Sequence, residues 1–511
     1  MNRRDFFKAA AAGAALSTGF RADATEKQPN IVFVLADDMG YGDVRAFNPS
    51  SKVPTPHLDR VAAGGMRFTD AHSGSAVCTP TRYGVLTGRY SWRTPMKSGV
   101  LNGYSRPLIE PGQLTVAEML QQAGYRTGCV GKWHLGMDLP RVAGGGDKDL
   151  DPAGRVENGP HDRGFDYNFN VLASLDMPPY VYVENDRFAG VASDNIDASK
   201  FPKYWRAGAI DPEFSMVDCL DQLTDKAVDF IAESAQGDAP FFLYFPLTAP
   251  HKPVLPHPRY HGKSGVGDYG DFLIQVDDVI GRVDQALADV GAAEDTLFIM
   301  TSDNGSFMYR LQNAPERHGG GSDRDHVDDA SIQAYDTQNH RANLHWRGTK
   351  ADIWDGGHRV PYIARWPKRV RAGSDCDTPI CLTDLMATCA DAAGIEVPEG
   401  AAEDSYSILP WLEGKRSPAP RPPVVHHSIN GTLAMREGDY KLIFGSGSGG
   451  RGTPSSKPWS EPYQLYHFGK DPWETKNLID EPEHASVLAR FMDNAEKLGI
   501  LAEREAAEKK K

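Results

Sequence analysis

Five short polar clusters in this 511-residue chain have the residue types and placement to do chemistry. Asp37 and Asp38 are adjacent carboxylates, which repel each other unless a cation or hydrogen bonds hold them. Asp303-Asn304 adds a third carboxylate and an amide oxygen. These four residues offer only oxygen donors, the ligand set of a hard cation such as calcium or, alternatively, magnesium. Lys132-Trp133-His134 and Pro250-His251 each follow an apolar run and bring a cation and two imidazoles. The fifth cluster is Cys78-Thr79-Pro80-Thr81-Arg82, a thiol followed by a guanidinium. Singly, each has a plain structural reading. Cys78 alone reads as a small buried hydrophobe, the Asp37-Asp38 pair as a helix cap or solvated loop, and Lys132 as a surface lysine.

The elements that would position these clusters read as one α/β unit. Residues Asn30 to Ala36 form a continuous apolar run, the pattern of a strand buried on both faces. Residues Arg126 to Gly131, Phe241 to Phe245 and Thr296 to Thr301 repeat it, and each run ends at one of the polar clusters. Helical spacing of apolar residues over Leu114 to Ala123, Met216 to Ala232 and Gly270 to Val290 alternates with these strands, which implies a doubly wound, mostly parallel sheet flanked by helices. In such a sheet ligands bind at the carboxyl ends of the strands. All four strand-end clusters would therefore converge. The catalytic α/β domain is assigned to residues 25–395 and a Pro-rich connecting segment to 396–423. A smaller C-terminal α+β domain follows over 424–511, with strands Thr432 to Arg436, Tyr440 to Phe444 and Gln464 to Phe468. Its Gly/Ser-rich stretch Gly445 to Lys457 reads as a mobile loop, and Pro482 to Lys509 as a charged amphipathic helix.

Composition narrows the classes further. With 69 acidic residues against 55 Lys and Arg, the chain is acidic, which argues against general nucleic-acid binding. An anionic substrate must then meet a local basic pocket. Residues 1–24 resemble a twin-arginine export signal, with Arg3-Arg4, an apolar stretch from Ala9 and a small-residue Ala22-Asp23-Ala24 site, so the expected location is periplasmic or secreted. No run approaches membrane-spanning length. Six cysteines in an exported chain invite disulfides; Cys376 and Cys381 are near enough in sequence to pair, whereas Cys129 reads as a buried free thiol. No feature of the sequence specifies an oligomeric state.

Cys78-Thr79-Pro80-Thr81-Arg82, continued by Leu86-Thr87-Gly88-Arg89, resembles the active-site signature of the type I sulfatases of the alkaline phosphatase superfamily. Thr81 stands where that family usually has serine. Gly124 to His134 resembles the second sulfatase signature, Ala249-Pro250-His251 the third active-site histidine, and Arg347 to Pro361 the stretch that carries a second active-site lysine, Lys350. Gln464-Leu465-Tyr466 and Asp471-Pro472-Trp473-Glu474-Thr475 match the family's C-terminal domain. The resemblance implies that a maturation enzyme converts Cys78 to formylglycine, whose hydrate attacks sulfur and forms a covalent sulfo-enzyme intermediate. It implies calcium held by Asp37, Asp38, Asp303, Asn304 and the modified Cys78. It further implies charge stabilisation by Arg82, Lys132 and Lys350, a base at His134, an acid at His251, and sulfate contact by Lys132, Lys350 and Ser174. The expected substrate is a sulfated glycan, with the 174–184 segment and Gly357-His358-Arg359 resembling members that act on galactose or N-acetylgalactosamine sulfates. The polar segment 319–345, with His326, His340 and His345, reads equally as a pocket wall or a solvated insertion. Two rivals share the pattern: a phosphonate monoester or phosphodiester hydrolase of the same superfamily, and a non-catalytic glycan-binding relative.

Overall fold

The computed structural model describes residues 27–199, 204–308, 340–415, 421–452 and 454–508. The export-signal residues and His326 lie outside this range. A ten-stranded sheet forms the centre. From one edge its strands are Ser374–Cys376, Met66–Phe68, Tyr362–Arg365, Thr296–Ser302, Asn30–Asp37, Phe241–Pro250, Arg126–Lys132, Tyr167–Val171, Tyr182–Glu184 and Arg187–Phe188. The five from Thr296–Ser302 to Tyr167–Val171 run parallel, and antiparallel strands continue the sheet on both sides.

The continuous apolar run of Asn30–Asp37 is explained by what covers it. Ile31, Phe33 and Leu35 face one core with Tyr83, Leu86, Leu120 and Met386. Val32, Val34 and Ala36 face the other, with Leu58, Leu223, Phe272 and Val279. Helices Cys78–Thr87, Val116–Gln122 and Leu385–Ala393 therefore cover one side, and Pro56–Ala63, Cys219–Ser234 and Asp268–Asp289 the other. Among the described residues no helix is long and apolar enough to cross a membrane.

The C-terminal part is a four-stranded antiparallel sheet, Val424–His427, Leu433–Glu437, Tyr440–Ile443 and Gln464–His467. Helices Ala485–Lys497 and Ile500–Glu508 pack beside it through Phe491, Ala495 and Ile500. Where one amphipathic helix is expected there are two, because Gly499 adopts φ 79° and stops the first.

In the 396–415 stretch Ala402, Ile408, Leu409 and Leu412 join the core of the large domain. Two further expectations are corrected. Residues 445–452 form an anchored loop. Ser448 carbonyl accepts from Ile353 N (2.7 Å), and Asp352 Oδ1 accepts from Arg451 N (2.8 Å) and Gly452 N (2.7 Å). A Cβ at Gly450 would lie 2.2 Å from the Ala351 carbonyl oxygen, so glycine permits this close approach. All six cysteines are free thiols; Cys376 and Cys381 occupy different strands and pack against different cores.

Candidate active site

The four central strands place their carboxyl ends side by side, with Asp37 paired to Pro250 and Ala36 to Ser302. Asp38, His134, His251 and Asp303 thus leave adjacent strands at one sheet edge. The Cys78–Thr87 helix meets them end-on: Cys78 is its first residue, and all ten of its residues are buried. Its exposed backbone N–H groups and positive dipole end favour negative charge at this position. Lys350 arrives on the loop that the 445–452 strap holds down.

The side chains form a buried cluster of alternating charge. Asp37 Oδ2 accepts from Lys132 Nζ at 2.6 Å. Lys350 Nζ lies 2.7 and 2.8 Å from the two oxygens of Asp38 and 3.5 Å from Cys78 Sγ. Arg82 donates to Asp303 Oδ2 at 3.1 and 2.7 Å and to the Lys132 carbonyl at 2.9 Å. Asn304 Nδ2 donates to Asp38 Oδ1 at 2.6 Å, which leaves Asn304 Oδ1 buried without a partner. Cys78 Sγ is 3.7 Å from Asp37 Oδ1. Three carboxylates balance three cations, so the cluster carries no surplus positive charge for an anion.

Its carboxylates are nevertheless under-compensated. Burial raises the Asp38 pKa more than Lys350 lowers it, and burial together with Asp37 raises that of Asp303 despite Arg82. A dication is the group that would relieve both. The donors of Asp37, Asp38, Cys78 and His251 already lie within 4.8 Å of one another, and the orphaned Asn304 oxygen is a further hard donor. The residues fit a calcium-class ion.

Two histidines stand on either side. His134 Nε2–H donates to the Leu101 carbonyl (2.8 Å), so Nδ1 carries the lone pair and has no partner. His251 Nδ1–H donates to the Lys252 carbonyl (2.5 Å), leaving Nε2 free to face Asp38 Oδ2 at 3.6 Å. Burial, then Lys132, holds His134 well below its ordinary pKa; burial, then Lys350, does the same to His251. Burial pushes the Cys78 thiol up to about 12. As cysteine it is a protonated, poor nucleophile.

Asp38 (φ 69°), His134 (φ 56°) and Ala351 (φ 83°) adopt left-handed backbone conformations that non-glycine residues avoid. Such strain is held at functional sites by the surrounding structure.

The structure brings every expected site residue together, Ser174 included, whose buried Oγ has no partner and lines the same cavity as Asp38, Cys78, His134, His251 and Lys350. Four further charged lining residues were not named as site residues from the sequence: Asp176, Arg206, Lys252 and Arg451. Arg206 is ion-paired to the buried Asp176. Lys252 was adjacent to a named histidine and Asp176 to Ser174, whereas Arg206 carries no local signal. Arg451 is a lone charge in a Gly/Ser-rich stretch, which is the only hint the sequence offers.

Fold and site together define a buried centre of carboxylates, cations and imidazoles, with donors close enough to hold a cation, at the carboxyl edge of a doubly wound sheet. The sulfatase family profile matches residues 29–395, and the C-terminal profile of N-sulphoglucosamine sulphohydrolase matches residues 349–500. The chain is 33% identical to an N-acetylgalactosamine-6-O-sulfatase of Bacteroides thetaiotaomicron, covering 92% of this chain and 93% of that one. It is 32% identical to human arylsulfatase A, over 89% and 84% respectively. A solved Bacteroides thetaiotaomicron structure from work on the metabolism of multiple glycosaminoglycans superposes with TM-score 0.77 at 30% identity, covering 93% of this chain and 99% of that one. The chain belongs to the sulfatase family and is a sulfuric ester hydrolase.

Proposed function

We propose that the chain removes sulfate from a carbohydrate, with 6-O-sulfated N-acetylgalactosamine or galactose as the unit it takes. The similarity to an N-acetylgalactosamine-6-O-sulfatase over nearly the whole chain supports the sugar. The observation that carries the chemistry is the Cys78 thiol at a buried helix N-terminus, 3.5 Å from Lys350 and 3.7 Å from Asp37.

Oxidation of Cys78 to formylglycine by a maturation enzyme would supply a hydroxyl nucleophile that can also release its adduct, which a thiol or serine cannot do. Asp37, Asp38, Asp303 and Asn304 would hold calcium, which supplies Lewis-acid polarisation of a sulfate oxygen. Lys132, Lys350 and Arg82 stabilise the charge that develops on the transferring group, in a site buried enough for each to act strongly. His134 receives a proton at Nδ1, and its Leu101 hydrogen bond fixes that tautomer. His251 would take up a proton at Nε2 when the anionic ester lies beside it and pass that proton to the departing sugar oxygen. Ser174 Oγ, with no partner of its own, donates to a sulfate oxygen. A twin-arginine signal over residues 1–24 would take the chain to the periplasm or beyond.

The test is sulfate release from a panel of mono- and disaccharides sulfated at different positions, using protein co-produced with a formylglycine-generating enzyme and Cys78→Ala beside it. Release from 6-O-sulfated galactose-type sugars that vanishes in the variant is expected. Faster cleavage of a matched phosphodiester than of the sulfate ester would overturn the reading.

A further inference from the structure

Asp43 is a fully buried carboxyl group that the chemistry above does not use. Its two oxygens gather donors from three separate parts of the chain. Asp43 Oδ2 accepts from Gly40 N and from the Tyr269 hydroxyl, each at 2.8 Å. Asp43 Oδ1 accepts from His340 Nε2, also at 2.8 Å. Lys52 N donates to His340 Nδ1, which leaves the ring proton on Nε2. A buried carboxylate held by this many donors is a stiff anchor.

Tyr269 carries this anchor towards the site. It stands in the first turn of the Asp268–Asp289 helix, buried, with its ring edge-on to Phe307 at 5.6 Å. A phenol has one proton, and a carboxylate can only accept, so that proton points to Asp43. The Ser306 hydroxyl, 2.8 Å away, then donates to the phenol oxygen. The same oxygen lies 3.4 Å from the Asp38 carbonyl. Ser306 is tied in turn to Lys350, because its carbonyl accepts from Lys350 N at 3.0 Å. Asn343 brackets Ser306, accepting from its N at 2.8 Å and donating to its carbonyl at 2.9 Å.

The Tyr269 oxygen therefore stands between the backbones of Asp38 and Lys350, whose side chains meet at 2.7 Å. Backbone strain flanks that pair: Asp38 has φ 69°, and Ala351, next to Lys350, has φ 83°. Left-handed geometry at such residues persists only where the surroundings over-determine it. The bonds from Gly40 N to Asp43 and from Lys350 N to Ser306 are restraints of that kind, one on each partner.

We infer that Asp43 and Tyr269 are positioning residues that set the separation of Asp38 and Lys350, and with it the grip of the cation site and the rate of turnover, which rests on the reading above of Asp38 as a calcium ligand. Neither side chain lines the catalytic cavity, so both act through the pair they hold.

Tyr269→Phe tests this, since it deletes the hydroxyl and keeps the ring. In a Cys78→Ala background, where turnover and conversion play no part, chelator-stripped protein is titrated with calcium chloride and its unfolding temperature followed. Adding Tyr269→Phe raises the calcium concentration at the midpoint of the rise roughly tenfold, as loss of a group that orients a metal ligand does. The metal-free unfolding temperature stays near that of the parent. In converted enzyme at saturating calcium, Tyr269→Phe lowers kcat on p-nitrophenyl sulfate roughly tenfold and changes KM little. Asp43→Asn, with one oxygen left for three donors, shows the same two shifts. Ser306→Ala shows smaller ones, and Tyr269→Phe with Ser306→Ala is no worse than Tyr269→Phe alone, because the two hydroxyls form one path. A calcium midpoint at the parent value, with or without a lower metal-free unfolding temperature, would overturn the inference, and so would an unchanged kcat. A parent protein with no calcium-dependent rise would remove the calcium reading itself, and this inference with it.

Discussion

Two buried charge clusters, about equal in composition, do opposite things in this molecule. The catalytic cluster sets Asp37, Asp38 and Asp303 against Arg82, Lys132 and Lys350. The second sits where the C-terminal sheet meets the large domain, and sets Asp70, Asp355 and Glu474 against Arg359, Arg436 and Lys441. There Lys441 Nζ reaches Asp355 and Glu474, each at 2.9 Å, and His358 at 3.0 Å. Arg359 joins Asp355 (2.8 Å) to Asp70 (2.6 Å), and Arg436 closes on Asp70 at 3.0 Å. His72, bonded to Asp70 at 2.6 Å, meets His358 at 3.0 Å, and His358 stacks on His426 with ring centroids 3.9 Å apart.

The difference lies in how far each carboxylate is compensated. Burial alone would raise Asp70 and Asp355, but Arg359 with Arg436, and Lys441 with Arg359, hold them well below the usual carboxylate range, while burial keeps Glu474 raised despite Lys441. Asp38 and Asp303 stay above it. The junction is an ion-pair network that joins the C-terminal sheet to the large domain, although Arg436 Nε and His426 Nε2 are themselves without a partner. The active centre is left short of positive charge and opens on a cavity, with Asn304 Oδ1, His134 Nδ1 and Ser174 Oγ unpartnered. Equal numbers of charges make a staple in one place and a reactive site in the other.

The largest effect that sharpens this contrast is at Cys78. Cys78→Ala is expected to remove turnover by on the order of 10⁵-fold or more, since the nucleophile and its supporting groups act as a unit, while thermal unfolding stays near wild type. Next come the histidines: His251→Ala and His134→Ala lose roughly 10²–10⁴-fold in kcat, again without a matching loss of stability. At the junction the expectation reverses. Lys441→Met strands Asp355 and Glu474 without their shared cation and destabilises the protein by about 3–5 kcal/mol, while the folded fraction keeps its KM. Denaturant unfolding alongside steady-state kinetics checks all three, and a Lys441→Met protein that is stable but inactive would break the comparison.

The smallest effect is in acid. Burial holds His358 and His426 neutral, below their ordinary pKa. A depressed histidine penalises the folded state as pH falls below the unfolded value of about 6.5, because the unfolded chain takes up the proton more readily. Asp70 and Asp355 add their own loss at lower pH, where their stabilising charge is neutralised. Unfolding temperature should fall as pH drops from about 6.5, and His426→Phe should show a shallower slope from a lower start.

Much of the candidate site's clustering could be read in advance because each part is local. Asn30–Asp37 and Thr296–Ser302 are apolar runs that end in their own functional residues, and parallel topology then makes those ends neighbours. The junction could not be read in this way. Asp70, Asp355, the Arg436/Lys441 hairpin and Glu474 come from four separate stretches, and nothing in any one of them shows that they meet until the fold closes. The same holds at the edge of the active cavity, where Arg206 and Arg451 arrive from loops without periodicity. Three-residue strands such as Met66–Phe68 are too short to show alternation, and the 445–452 loop has the composition of a flexible segment but is pinned by Asp352 and Ile353.

The most direct test of the account uses several preparations that differ in the fraction of Cys78 converted, measured by intact mass, with sulfate release from one 6-O-sulfated monosaccharide measured on each. The account predicts a rate strictly proportional to the converted fraction, passing through zero at no conversion. Sulfate release by protein that is wholly unconverted would contradict it.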